Sequence, residues 1–349
     1  MLSNRLKHNT KSIFNLNSTQ KRAKKEIEDK VEFGSYPFEN VSCQVCNSIK
    51  SRILSEKDRY GLHYTVRVCE NCGLVYTSPR MVQDAYNNFY ALEYRRLYSG
   101  REVPNLDNLK INEARGEKIY SYLEQFIKIK NRPVKVLEIG CSAGGILSYF
   151  KNAGCETLGV DLDANYIGYG REKLGLNLVE GTLRDVPSDF TPDIIIYSHV
   201  LEHILDIKAE LLKLKSVCTK NTLLYIEVPG IKNIHASYNF NFLHYLQNAH
   251  TFHFSLTTLR NLMYKNDFKI IKGDEFIRSV FVKREEPESK EYFQNDFKEI
   301  SSYLENTERA WNKKQFSFSV IKRKFYLFIK NILVKIRCRL LKWKHQSLP

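Results

Sequence analysis

Three sets of side chains in this 349-residue sequence have the types and spacing for chemistry. In the first, Glu138 and Asp161 stand at the ends of two short apolar runs, with Gly140, Gly144 and Gly145 between them. A strand that breaks on glycines into a helix N-terminus bares backbone N–H groups to a ligand, and a carboxylate at its end suits a ligand carrying a cation. Asp161, 21 residues after Gly140, stands where doubly wound folds place an acid on ribose hydroxyls. The second set is Cys43-Gln-Val-Cys46 and, after 22 residues, Cys69-Glu-Asn-Cys72. Four thiolates at that spacing fill a tetrahedral zinc shell, which makes the ion structural. The third set is imidazoles: His199 and His203 with Glu202 between them, then His250 and His253. Imidazole takes a proton at neutral pH. The pair His199/His203 also has metal-ligand spacing, but it lacks the H-E-x-x-H form and a third ligand, so Glu202 and His203 are read as anchoring a helix start.

Alternating strand and helix patterns must position these groups. Strands are expected at 134–139, 156–160, 177–180, 193–198 and 222–228, with helices near 143–152, 164–173 and 203–217. That alternation predicts an α/β fold with a parallel sheet covered by helices on both faces.

The spacing Gly140-x-x-x-Gly144-Gly145 differs from the G-x-G-x-x-G of dinucleotide enzymes. It resembles the first motif of the class I S-adenosylmethionine-dependent methyltransferases, (hydrophobic)-E/D-x-G-x-G-x-G, with Ser142 at the middle glycine. His199-Val-Leu-Glu-His203 is similar to the same family's hvLEH segment. The resemblance implies a Rossmann-like seven-stranded sheet whose last strand is inserted antiparallel near the edge, within 268–283. It implies S-adenosylmethionine as cofactor, with Glu138 near its amino-acid or ribose end and close approach at Gly140, Cys141 and Gly144. Asp161 would hold the ribose hydroxyls, Leu162 would flank the adenine, and Thr182 and Leu183 would line the base. Ser198 and His199 would lie under the transferring methyl. The stretch Cys69 to Arg80 resembles the zinc-binding segment ahead of bacterial methyltransferases of sugar and surface-polysaccharide pathways, which forms a lobe over the substrate side. Similar sugar C-methyltransferases present a base histidine in E-H-x-x-x-F-S. Here His250 and Phe254-Ser255 match, while Ala249 replaces the acid, so O- and C-methylation both stay open. His250 is the first base and His253 the second. Tyr90 and Tyr94 are read as sugar-stacking residues or as ordinary helix packing; Tyr238, Asn239 and His244 are further substrate contacts.

The domains expected are a polar basic extension (1–40), solvated or partly helical; a zinc-binding lobe (41–80); a helical linker or substrate lobe (81–130); the cofactor-binding domain (131–285); and a helical basic amphipathic tail (286–349). Residues 1–40 carry 8 Lys/Arg against 5 Asp/Glu, and 309–349 carry 12 Lys/Arg and no acid. Together these account for the formal +15 and leave 41–308 neutral, which speaks against a nucleic-acid partner. With no apolar run of about 18 residues and no signal peptide, the protein is expected in the cytoplasm, with its eight cysteines as thiols or ligands. In the tail, Phe325, Phe328, Ile329, Ile332, Ile336, Leu340 and Trp343 form one helical stripe. It suits peripheral contact with an anionic membrane through 315–349, or packing on the protein's own core. The expected function is methyl transfer to a sugar or glycan precursor of surface-polysaccharide synthesis. Alternatives are a quinone, lipid or other small-molecule acceptor, or a zinc-containing RNA-binding module with an inert cofactor fold.

Overall fold

The computed structural model describes residues 1–101, 107–127, 132–285, 293–317, 321–330 and 332. Helix α1 (Ser18–Glu32) starts at Asn17, whose side chain accepts the Gln20 N–H. Strand β1 (Phe38–Glu39) pairs with β5 (Arg80–Met81), and between them lie β2 (Ser51–Lys57), β3 (His63–Cys69) and β4 (Val75–Thr77). Helix α2 (Gln83–Phe89), a π-helical turn (Tyr90–Tyr94), α3 (Arg95–Ser99) and α4 (Asp107–Ile127) follow. Then come β6 (Lys135–Ile139), α5 (Gly145–Asn152), β7 (Glu156–Asp161), α6 (Ala164–Leu174), β8 (Leu178–Glu180), β9 (Ile194–Ser198), α7 (Ile207–Val217) and β10 (Leu223–Glu227). Short helices α8 (Ile234–Ser237) and α9 (Phe242–Tyr245), strand β11 (Phe252–His253) and α10 (Leu256–Lys265) lead to the hairpin β12 (Phe268–Gly273) and β13 (Arg278–Lys283). Helix α11 (Phe297–Gln315) comes after it.

The large sheet has the order β12-β13-β10-β9-β6-β7-β8, parallel except for β13, which runs antiparallel between β10 and β12. Its inner strands β6, β9 and β10 are apolar on both faces, so alternate residues enter two different cores. Leu137, Ile195, Tyr197, Leu224 and Ile226 pack in one; Val136, Ile194, Ile196 and Tyr225 pack in the other. From β6 the chain moves outward to β7 and β8, then returns to β9 on the opposite side. The gap beyond the C-terminal ends of β6 and β9 is therefore the switch point, where ligands of such sheets bind. The hairpin lies within 268–283, as expected.

Several expectations need correction. Residues 1–40 are partly helical, as expected, and are anchored by Leu6, Ala23, Ile27 and Tyr36, which are buried, while much of the rest of the segment is exposed. Some of its charges reach distant partners, with Arg5 bonding the buried Glu308 at 2.6 Å and Lys30 the buried Glu93 at 2.5 Å, while Lys24 and Lys25 pair with Glu28 and Asp29 on the same helix. Helix 203–217 starts only at Ile207, because the Asp206 side chain caps it through the Ala209 N–H and leaves a 3-10 turn at Leu201–His203. Residues Phe252–His253 are a strand, and they join β4 of the small lobe to give a sheet β11-β4-β3-β2. In the tail, α11 buries Ile300 and Leu304. Residues 321–330 are helical, with Phe325, Phe328 and Ile329 exposed, so packing on the protein's own core does not hold there; Ile336, Leu340 and Trp343 lie outside the described residues. No helix among the described residues is long and apolar enough to cross a membrane.

Candidate functional site

The turn after β6 is built by positive backbone angles. Gly140 has φ +70°, and a Cβ there would lie 2.5 Å from Val200 Cγ2, on the segment that follows β9. Gly144 has φ +78° at the cap of α5, and its Cβ would meet Leu176 Cδ1 at 2.5 Å. Ser142 takes φ +52°, a left-handed conformation that glycine adopts without penalty. Its N–H donates to Asp161 Oδ2 at 2.8 Å, while the Gly140 and Cys141 N–H groups donate to the Val160 carbonyl. The turn is thus stitched to the end of β7.

Glu138 is buried, and its Oε2 has no hydrogen-bond partner among the described residues. Burial, and then the charge of Asp161, push its carboxyl well above the usual range. Burial also raises Asp161, although the Asp163 and Ser142 N–H groups offset this in part. The Cys141 thiol is pushed up by burial and by both acids. A buried carboxyl whose ionisation a second acid at the end of the neighbouring strand disfavours gains most from a cationic ligand. Leu162 follows them at 69% exposure, free to cover a planar group. Thr182 caps the turn at Leu183–Asp185, accepting the Arg184 N–H and bonding Asp185, while Leu183 lies in the core. The Ser198 hydroxyl is buried and unpartnered among the described residues.

Beyond β9 the chain brings imidazoles around one carboxylate. Glu202 is buried, and His199 Nδ1, His203 Nε2 and His250 Nε2 lie 3.5, 3.9 and 4.0 Å from its Oε1. The acid missing at position 249 therefore has a counterpart from another segment. His203 Nδ1–H donates to the Ala249 carbonyl at 3.0 Å. Burial lowers the pKa of His203 and, well below the usual value, that of His250. His199 takes φ +58°, and its side chain is 35% exposed, the most open of the three. His253 is buried in β11 between Tyr64 and Tyr245, with its Nε2 3.2 Å from the Tyr64 hydroxyl and its pKa pushed down to about 3 by burial.

The small lobe holds this segment in place. The Tyr64 hydroxyl and Thr77 Oγ1 donate to the His250 carbonyl, Tyr86 Oη donates to that of Ala249, and the Thr251 N–H reaches the Glu202 carbonyl. Tyr90 and Tyr94 stack at 4.4 Å, and both rings meet His203 edge-on at 5.8 and 6.0 Å. Tyr98 extends the row. Tyr238 and His244 pack on each other, and Asn239 bonds Lys314. Sequence reasoning passed over Arg59, whose buried guanidinium lies over Tyr60 and Tyr98 and bonds Gln247. The one local signal for it is its place in the Asp58-Arg-Tyr-Gly61 turn between β2 and β3. In the same lobe Cys43 Sγ lies 3.4 Å from Cys72 Sγ, and Cys46 Sγ 3.4 Å from Cys69 Sγ. All four sulfurs fall within 4.8 Å of one another, a set able to hold one metal ion.

Residues 111–272 match the family model described as a methyltransferase domain, a little under half of the chain. Among curated proteins the chain is 32% identical over 144 residues to (S)-tetrahydroprotoberberine N-methyltransferase of Eschscholzia californica, which covers 39% of each chain. It is 35% identical over 100 residues to probable (S)-tetrahydroprotoberberine N-methyltransferase 2 of Papaver bracteatum, covering 26% of this chain and 28% of that one. The chain thus spans well under half the length of these relatives. Among solved structures it is similar to the plantazolicin methyltransferase BpumL with S-adenosylhomocysteine (SAH), with TM-score 0.44 and 15% identity over 65% of this chain and 88% of that one. It is also similar to magnesium protoporphyrin IX methyltransferase of Synechocystis PCC 6803, with TM-score 0.40 and 17% identity over 57% and 95%.

Proposed function

We propose that this protein is an S-adenosylmethionine-dependent methyltransferase whose acceptor lies between His199 and the tyrosine row. The observation that carries this reading is the pair of acids, Glu138 buried and Asp161 half-buried, at the ends of adjacent strands beside a turn stitched by backbone N–H groups. The methyltransferase-domain match over 111–272 supports it.

Bound S-adenosylmethionine supplies a sulfonium-borne methyl that is already a good electrophile. The chain's work is therefore alignment, exclusion of water and disposal of one proton. Glu138 and Asp161 hold the cationic and ribose parts, Gly140, Cys141 and Gly144 permit close approach, and Leu162 covers the base. Ser198 and His199 end the central strand under the methyl position. His199 is the base this geometry favours, because it is the most open of the three imidazoles around Glu202, with its Nδ1 3.5 Å from that carboxylate. His250 is more deeply enclosed and His253 is bound up with Tyr64, so neither is given that role.

Tyr90, Tyr94 and Tyr98 stack on one another, so the row offers ring edges and hydroxyls, most openly at the exposed Tyr98, to a sugar ring, and we retain a sugar or glycan precursor as the first acceptor class. A second reading is an amine on an aromatic framework, favoured by the names of the curated relatives. The four cysteines hold a structural zinc that ties the lobe together. Calorimetric titration with SAH tests the cofactor. Labelled methyl transfer to nucleotide sugars and, separately, to aromatic amines tests the acceptor. No heat with SAH removes the methyltransferase reading, and label found only in the amine removes the sugar.

A further inference from the structure

We infer that Glu202, His203 and His250 bind a divalent first-row transition-metal ion, a site separate from the four cysteines. Its proposed role rests on reading this end of the sheet as the acceptor site; the binding of the ion does not.

The donors come from two distant segments held by different elements. Glu202 and His203 belong to the 3-10 turn after β9, and His250 to the loop that the small lobe grips through Tyr64 and Thr77. One donor atom from each lies within 4.8 Å of the other two. Tetrahedral ligands at ~2.1 Å from zinc stand about 3.4 Å apart. The observed 3.9 and 4.0 Å from Glu202 Oε1 to the two imidazoles therefore close by about half an ångström onto an ion.

At those separations no hydrogen bond links the three groups. Both oxygens of Glu202 and His250 Nδ1 are buried without a hydrogen-bond partner among the described residues. A carboxylate left so costs several kcal/mol, a cost that an ion removes. His203 is already arranged as a ligand: Nδ1–H donates to the Ala249 carbonyl, which fixes the tautomer and leaves the Nε2 lone pair toward Glu202.

Two nitrogens and one carboxylate oxygen suit Zn2+, Fe2+ or Co2+ better than Ca2+, which takes oxygen, or Cu+, which takes sulfur. Three protein ligands leave positions open, the arrangement of a reactive ion and not of a structural one. An acceptor hydroxyl that took an open position would become more acidic. For a hydroxyl acceptor, His199 then takes the proton, the oxygen forms its bond to the methyl carbon, and the carbon–sulfur bond breaks with its electron pair passing to sulfur.

The test is metal content. After chelation and reloading with Zn2+, full-length protein should hold two ions per chain, falling to one in both Glu202→Gln and His250→Ala. Loading with Co2+ should give sulfur-to-metal charge transfer from the cysteines in all three proteins, and a second, sulfur-free set of bands only in the wild type. X-ray absorption of the unmutated zinc protein should require imidazole nitrogen as well as sulfur, a reading that survives if a variant fails to fold. One ion per chain with a sulfur-only shell overturns the proposal, as does a second ion that persists in both variants. SAH calorimetry on the same samples reports separately on the cofactor, so failure of the metal site and failure of the methyltransferase reading are distinguishable.

Discussion

Replacing Glu138 by Gln separates the carboxylate's cost to the fold from its use to a ligand. The two side chains are nearly isosteric, so packing is kept and only the charge and one acceptor are lost. In the unliganded protein, burial and Asp161 raise the Glu138 pKa well above its ordinary 4.5. The native state then binds more protons than the unfolded chain above that pH, so stability falls as pH rises until Glu138 ionises in the native state too. This is worth about 1.4 kcal/mol for every pH unit over which only the unfolded carboxyl is charged. Glu138→Gln should therefore unfold at higher denaturant than wild type at pH 8, with the gap closing below about pH 4.5. The ligand reverses the sign. A charge-assisted contact contributes about 1.5–3 kcal/mol, so the variant should bind SAH roughly 10- to 150-fold more weakly by calorimetry. In wild type the affinity should rise with pH as the carboxylate forms, and in the variant it should be flat. A well-folded Glu138→Gln that binds SAH as tightly as wild type would refute the assignment of this acid to the cofactor.

His199→Asn should cut the turnover of labelled methyl transfer by about 100-fold or more while leaving SAH affinity within a factor of about two; an unchanged turnover removes His199 as base. Asp58, buried where it accepts the Tyr60, Leu62 and Asn248 N–H groups, has its pKa raised to about 6, mainly by burial. Stability should decline by a few kcal/mol from pH 4 to 6, and the Asp58→Asn variant, less stable overall, should lack that slope in urea titrations. Residues 321–330 expose Phe325, Tyr326, Phe328 and Ile329 beside Lys322, Arg323, Lys324 and Lys330. Full-length protein should co-float with phosphatidylglycerol vesicles and not with phosphatidylcholine ones, and deletion of 315–349 should abolish this; equal flotation of the truncated chain would dismiss the tail.

The glycine turn between the two acids is legible in the sequence alone. Strand, glycine turn and helix around Gly140 and Gly144 form a local unit, and the steric demands that fix it, at Val200 and Leu176, only reinforce a pattern the glycines already declare. The two cysteine pairs are equally plain, since ligand spacing is a property of short turns. The histidines are harder. Their types announce proton chemistry, yet neither spacing nor propensity tells which of His199, His250 and His253 faces an opening. That ranking comes from burial, and burial depends on what the small lobe covers.

The chain's own order of residues determined the parallel α/β sheet, the edge at which the acids gather and the four-thiol cluster, because each arises from periodicity or spacing within about twenty residues. Only the tertiary structure decided that Glu202 meets His250, that β11 joins the small lobe, that Tyr90 and Tyr94 lean on His203, and that Leu6, Ala23, Ile27 and Tyr36 anchor the first forty residues. Those contacts join segments far apart in the chain. They form where two surfaces happen to complement each other, and no local preference of either segment encodes its partner.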